Sequence, residues 1–302
     1  MAYRIAQGNL IIDGKSPDGD TIAFALDEEN RGLWVWPKEQ DGRFPRFNSL
    51  FHANIRFEAI DALELHYQIQ NVYPGVNSHQ PLSLARQARD RLLEICGFNL
   101  DNVTETANLR LKDPDQQKKP ATIAYKDIDP FGRIVAFVFV DKMGFKMDDK
   151  NPTVFLEPEH LERSVNIQLL REGLVYPTFY GGFYPELRNA VTVWAREARD
   201  QNRGLWQTNV TEFTTERKPS LEVIEELVML PKIFRRLATH LARNGAISNF
   251  RGFMGETGDT VVDTRQVRLT GLQSFVGVKK VNSDQYKVRL QRNAEELIFL
   301  PS

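Results

Sequence analysis

The chain has 302 residues, more than one ordinary domain needs, so two domains are expected. Charged residues make up 26% and apolar ones 41%, an ordinary folded-protein balance, and no apolar run approaches the roughly 20 residues that span a bilayer. A net charge of −1 excludes a polycation held to nucleic acid by bulk attraction, so any such binding has to come from locally placed Arg and Lys.

The segment Met1-Ala2-Tyr3-Arg4-Ile5-Ala6-Gln7 lacks the basic start and apolar centre of a secretory signal, and a cytoplasmic location is expected. Residues 9–26 alternate around Asp18-Gly19, which reads as two strands and a tight turn. A polar insertion follows, in which Trp34-Val35-Trp36 reads as hairpin packing, and a strand is expected over Ala53–Ile60. Apolar residues at Leu82, Ala85, Ala88, Leu92, Leu93 and Cys96 recur at helical spacing over 81–97. That periodicity buries Cys96, the single cysteine, as an inert thiol. Residues 99–120 read as a loop, Ile134–Val140 as a buried strand, and two helices are expected at about 160–172 and 185–202.

The polar, aperiodic residues 209–219 read as a linker. Beyond them Leu221–Arg243 predicts one or two helices interrupted by Pro231, and Thr260–Leu300 alternates like a set of strands. This gives domains at 1–208 and 219–302, the second a small α+β unit that a protein partner or a second copy could engage. Gly252-Phe253-Met254-Gly255 reads as a loop, and His66 and His79 as polar loop histidines without metal-ligand spacing.

Three segments carry chemistry: Asp18-Gly19-Asp20-Thr21, Arg56-Phe57-Glu58-Ala59-Ile60-Asp61-Ala62-Leu63-Glu64, and Asp129-Pro130-Phe131-Gly132-Arg133. Each has a bland reading, as a hairpin turn, an Arg-Glu pair on a solvated strand, and a Phe-Gly turn. Together they offer carboxylates for a hard cation, a carboxylate to act on water, and two planar guanidiniums suited to phosphate oxygens. Strict strand alternation would send Arg56 and Asp61 to opposite faces. For the two to converge on one site the strand must bend or bulge between them, and Ala59 is small enough to sit in such a bend.

In order and spacing these segments resemble the staphylococcal-nuclease-like (thermonuclease) family. The resemblance covers about 1–208, with insertions near 27–52, 66–80 and 99–124. It implies an α+β fold: an OB-type five-stranded β-barrel with three helices. It implies Asp20, Asp61 and the Ala62 carbonyl as calcium (Ca2+) ligands supported by Asp18, with Arg56 and Arg133 clamping phosphate and Glu64 assisting water. Phe131 falls at a position that meets the nucleotide, and Tyr176 and Tyr180 fall in the region that supplies aromatics to it, although by pattern each fits equally as a core aromatic between two helices. Ala62-Leu63 stands where many members have Thr-Pro; the contact there is a backbone carbonyl, so alanine should serve, and losing the proline loosens the turn slightly. Pro130 stands where well-known members have lysine and Phe131 where they have tyrosine, two changes that should weaken substrate grip more than chemistry.

The resemblance implies a calcium-dependent nuclease that cleaves DNA and RNA with little sequence preference, leaves 3′-phosphate ends and has no membrane partner. The alternative is a catalytically silent binding scaffold of the same fold. A core ending near Trp206 also leads to the expectation that truncation before Lys218 leaves a soluble, metal-dependent nuclease.

Overall fold

The computed structural model describes residues 2–26, 44–69, 75–106, 108–113, 118–140 and 153–300. Trp34 and Trp36 lie outside them. The first apolar alternations become strands Tyr3–Ile11 and Thr21–Leu26, with Ile5, Leu10, Ile22 and Phe24 buried. Around the sheet the order is Tyr3–Ile11, Thr21–Leu26, His52–Phe57, Ile134–Phe139, Lys118–Ile128, and then back to the first strand. All pairings are antiparallel except His52–Phe57 with Ile134–Phe139, which is parallel. The result is a closed five-stranded mixed barrel of OB-like type, in which closure removes the open edges.

Ile134–Phe139 is apolar almost throughout because it is covered on both sides, by the barrel interior and by helix Val165–Arg171. Fully buried Asn166 ties that helix to the barrel. Its side-chain oxygen accepts from the Val138 amide at 3.0 Å, and its amide donates to the Glu58 and Ala136 carbonyls at 2.9 and 3.1 Å. Helices Leu82–Ile95 and Pro185–Asp200 form where the periodicity placed them. The expected helix at 160–172 is instead two, Pro158–Glu162 and Val165–Arg171, because the Ser164 hydroxyl caps the second by accepting from the Ile167 amide. The presumed loop 99–120 contains a short hairpin, Val103–Glu105 with Leu109–Leu111, and its last residues begin the barrel strand at Lys118.

Beyond the barrel, Glu212–Glu216, inside the segment read as a linker, is a strand paired with Gln285–Leu290, which pairs in turn with Val276–Lys280. Helices Leu221–Glu225 and Pro231–Ala242 follow, the second with Pro231 in its first turn, where a missing amide costs nothing. Gly252-Phe253-Met254-Gly255 falls within helix Phe250–Glu256, not in a loop. A second sheet crosses the boundary at 208: Phe179–Tyr180 pairs in parallel with Leu297–Phe299, which continues to Thr260–Asp263 and Arg268–Gly271.

Two main apolar cores result. One fills the barrel and its helices and includes Cys96, buried as the helical spacing indicated. The other joins Leu63, Leu65, Ile69, Tyr176, Leu205 and Trp206 to Phe234, Leu237, Phe250, Leu272 and Leu297. Residues on both sides of the expected domain boundary thus share one hydrophobic interior.

Glu58 is buried where the strand His52–Phe57 ends, and burial pushes its carboxyl from 4.5 up to about 7, with Lys126 opposing and Asp127 reinforcing the shift. The folded state therefore binds a proton that the unfolded state has released, and stability falls as pH rises from about 4.5 to about 7. Glu58→Gln should flatten that loss by on the order of 3 kcal/mol. Denaturant unfolding at pH 5 and pH 8 reads it. An unchanged pH dependence in the variant would show that Glu58 stays ionised in the fold.

Candidate active site

Asp18 and Asp20 flank a turn closed by an Asp18 amide bond to the Thr21 carbonyl at 3.3 Å. Gly19 is required by close approach: a Cβ there would lie 2.7 Å from the Cβ of Ala88 and 2.8 Å from that of Ala62. Asp20 leads into strand Thr21–Leu26, and its carbonyl accepts from the Phe57 amide at 2.8 Å. Arg56 lies on the neighbouring strand, opposite Thr21 on one side and Val135 on the other, so its backbone is fixed from both sides.

The parity conflict between Arg56 and Asp61 is resolved by a break. The strand stops at Phe57, Glu58 and Ala59 form a turn with Ala59 at φ +68°, and pairing resumes at Ile60–Asp61. A left-handed alanine is strained, and the turn is held by the Thr178 amide bonding to the Ala59 carbonyl at 2.9 Å. Asp61 is then fixed by pairing with Tyr176.

These placements produce one continuous chain of charges. The Arg56 guanidinium spans two carboxylates, 2.7 Å from Asp20 Oδ2 and 2.7 Å from Asp61 Oδ1. Asp20 Oδ2 also accepts from the Ala62 amide at 2.7 Å, and Asp20 Oδ1 accepts from the Thr21 hydroxyl at 3.1 Å. Arg133 donates to that hydroxyl at 3.2 Å and to Asp129 Oδ2 at 2.6 Å. On the far side, Arg235 donates to Asp61 Oδ2 at 3.1 Å and to Glu64 Oε1. From one end the order is Arg133, Thr21, Asp20, Arg56, Asp61, Arg235 and Glu64.

Burial would raise the Asp20 carboxyl, but Arg56, the Ala62 amide and Arg133 outweigh it and hold Asp20 below its ordinary value. Asp18 goes the other way, raised well above its ordinary value by burial and by the charge of Asp20. Burial also raises Glu64, against the pull of Arg235.

Arg133 opens strand Ile134–Phe139, as expected, after a turn in which the Asp129 carboxylate accepts from the Phe131 and Arg133 amides. Phe131 is exposed, its ring 5.7 Å from the Arg133 guanidinium carbon. Tyr180 is partly exposed, rests on Phe299, and feels the charges of Asp61, Arg56 and Arg235. Tyr176 is not brought to this surface. Its ring is buried against Trp206, and its hydroxyl donates to Asn209 at 2.6 Å. His79 sits 3.8 Å from Glu225, and among the described residues no three His, Cys, Asp or Glu side chains form a metal-ligand cluster.

Two convergent carboxylates nonetheless suit calcium, which takes 6–8 oxygens and can draw the remainder from carbonyls and water. Asp20 and Asp61 supply only oxygens, and Arg56 and Arg235 hold three of them, Asp20 Oδ2 and both oxygens of Asp61.

Arg235 was not foreseen. Lys232, Arg235 and Arg236 on a predicted helix give a basic face, the only signal available, and nothing in it points to Asp61, 174 positions earlier. The chain matches no family model, and no curated protein matches it. The functional reading therefore rests on the barrel and on this constellation.

Proposed function

We propose that the protein is a calcium-dependent nuclease acting on DNA and RNA, on the pattern of the staphylococcal-nuclease-like family. The observation that supports it is the convergence of Asp20, Arg56, Asp61, Glu64 and Arg133, from three distant segments, on one side of an OB-like barrel. Asp20 and Asp61 would hold calcium with the Ala62 carbonyl, and Asp18 would support Asp20. The bound ion would polarise the phosphate and orient a water molecule. Glu64, raised by burial, accepts the proton that water loses on attacking phosphorus. The bond from phosphorus to the 5′ oxygen breaks, the electron pair leaves with that oxygen, and solvent protonates it, giving a 3′-phosphate and a 5′-hydroxyl. Arg56 and Arg133 meet the charge that gathers on the equatorial oxygens. Phe131 and Tyr180 offer partly exposed rings for sequence-tolerant contact with the nucleotide.

The engagement of Asp20, Asp61 and Glu64 by Arg56 and Arg235 favours a second reading, a binding scaffold in which the network is structural. Purified protein incubated with single- and double-stranded DNA and RNA distinguishes them. Calcium should support cleavage to 3′-phosphate ends, chelator should stop it, and magnesium, which demands near-octahedral geometry, should support little. Asp61→Asn should raise the calcium needed for half-maximal rate by roughly tenfold or more, because affinity follows ligand charge. Full activity in excess chelator, or magnesium outperforming calcium, would defeat the calcium assignment. No cleavage under any condition would favour the scaffold.

A further inference from the structure

The loop that bears Glu64 has no regular secondary structure, yet it is held firmly at both side chain and backbone. The Glu64 carboxylate is engaged by Arg235 from helix Pro231–Ala242. Its backbone is gripped by fully buried Gln80. The Glu64 carbonyl accepts from the Gln80 amide at 2.8 Å, and the Glu64 amide donates to Gln80 Oε1 at 3.3 Å. Gln80 is itself anchored by donating to the Met229 carbonyl at 2.8 Å, two residues before that helix begins. Nearby, the Ser78 hydroxyl donates to Glu225 at 2.7 Å. The side-chain and backbone anchors therefore trace independently to one C-terminal platform, residues 225–235.

We propose that this platform completes the active site, and that Arg235 is the positioning residue that fixes Glu64 against Asp61. The inference rests on the nuclease reading above and gives the C-terminal part of the chain a place in the reaction. A guanidinium is planar and can bind two carboxylates at once, whereas a lysine ammonium is a point charge on a flexible stem. Arg235 spans Asp61 and Glu64, the first proposed to hold the ion and the second to receive the proton, so it sets the distance between their tasks. A misplacement of about 1 Å can cost on the order of 10²-fold in rate.

The test uses the full chain, comparing wild type with Arg235→Ala, Arg235→Lys, Glu64→Ala and the Glu64→Ala/Arg235→Ala double variant. Cleavage of single-stranded DNA with calcium gives kcat and KM, and hydrogen exchange reads the amides of residues 61–66 without calcium. Arg235→Ala should lower kcat by roughly 30–100-fold and leave KM within about threefold. Arg235→Lys should recover only a minor part of the loss. The double variant should be no slower than Glu64→Ala alone, because positioning Glu64 has no value once Glu64 is gone. Exchange in 61–66 should quicken in Arg235→Ala while the melting transition stays cooperative.

An unchanged or increased kcat in Arg235→Ala overturns the proposal, an increase marking Arg235 as a plug across the carboxylates. A further loss in the double variant also overturns it, because Arg235 would then act by a route other than Glu64, through Asp61 or on the phosphate. If Arg235→Ala does not fold, Arg235→Lys decides alone: wild-type kcat in that folded variant overturns the claim. A wild-type chain that cleaves nothing defeats the nuclease reading itself, a different result from an active wild type with a silent Arg235 substitution.

Discussion

Arg133→Ala is expected to lose cleavage by a factor on the order of 10²–10³ while melting close to wild type, whereas Arg56→Ala loses both activity and stability. The sequence offers the two arginines as equivalent phosphate clamps, but their surroundings differ. The Arg133 side chain is 29% exposed and pairs four residues back with Asp129 at 2.6 Å, a contact whose removal costs about 0.2–1 kcal/mol. Arg56 is 10% exposed between Asp20 and Asp61. Removing it takes the ion-pair partner from buried Asp20 and leaves buried Asp61 with Arg235 alone, and breaking a buried pair from one side costs about 3–5 kcal/mol. Arg56→Lys keeps the charge but cannot bridge both partners, so it should recover part of the stability and little of the rate. Thermal melts beside single-turnover cleavage separate these effects. Near-wild-type turnover in a folded Arg133→Ala protein would reduce that arginine to a surface residue.

What the sequence made legible follows from the range of the forces involved. Alternation and helical spacing are local, so strands such as Thr21–Leu26 and helices such as Leu82–Ile95 could be read directly. The bend at Ala59 was legible because Arg56 and Asp61, of opposite parity, could share the site that the resemblance implies only if the strand bent or bulged between them. Tyr176 shows the limit. Its ring could face nucleotide or core equally well by pattern, and what decided the matter was Trp206 and Asn209, some thirty positions later. The short strand Glu212–Glu216 was hidden for a related reason. A mostly polar stretch, with Glu212, Thr214 and Glu216 exposed and Thr215 buried, forms a strand there because the neighbouring Gln285–Leu290 supplies the pairing, a tertiary cause no local window contains. Arg235 is the extreme case, an unremarkable helical arginine whose partners are given only by the fold.

That same long-range dependence reverses the expectation for a chain truncated before Lys218, which should now be insoluble or unfolded and show no calcium-dependent cleavage. The truncated piece would keep Leu63, Leu65, Ile69, Tyr176, Leu205 and Trp206 but lose Phe234, Leu237, Phe250 and Leu297, which cover them. Full burial of a large apolar side chain contributes about 1.5–3 kcal/mol. Uncovering six of them removes an amount comparable with the roughly 5–15 kcal/mol that keeps a domain folded. The cut would also strip Phe179–Tyr180 of its partner strand Leu297–Phe299, and leave Asp61 and Glu64 without Arg235. Expression of residues 1–217 beside the full chain, compared by soluble yield, cooperative melting and chelator-sensitive cleavage, decides the point. A soluble, sharply melting fragment with wild-type kcat would mean that residues 1–217 close the second core by themselves and position Glu64 unaided. A fragment that folds but cleaves two orders of magnitude more slowly would place the C-terminal contribution in the site rather than in the core. The two contributions separate because Arg235 touches carboxylates while Phe234 and Leu237, on the same helix, fill the shared interior.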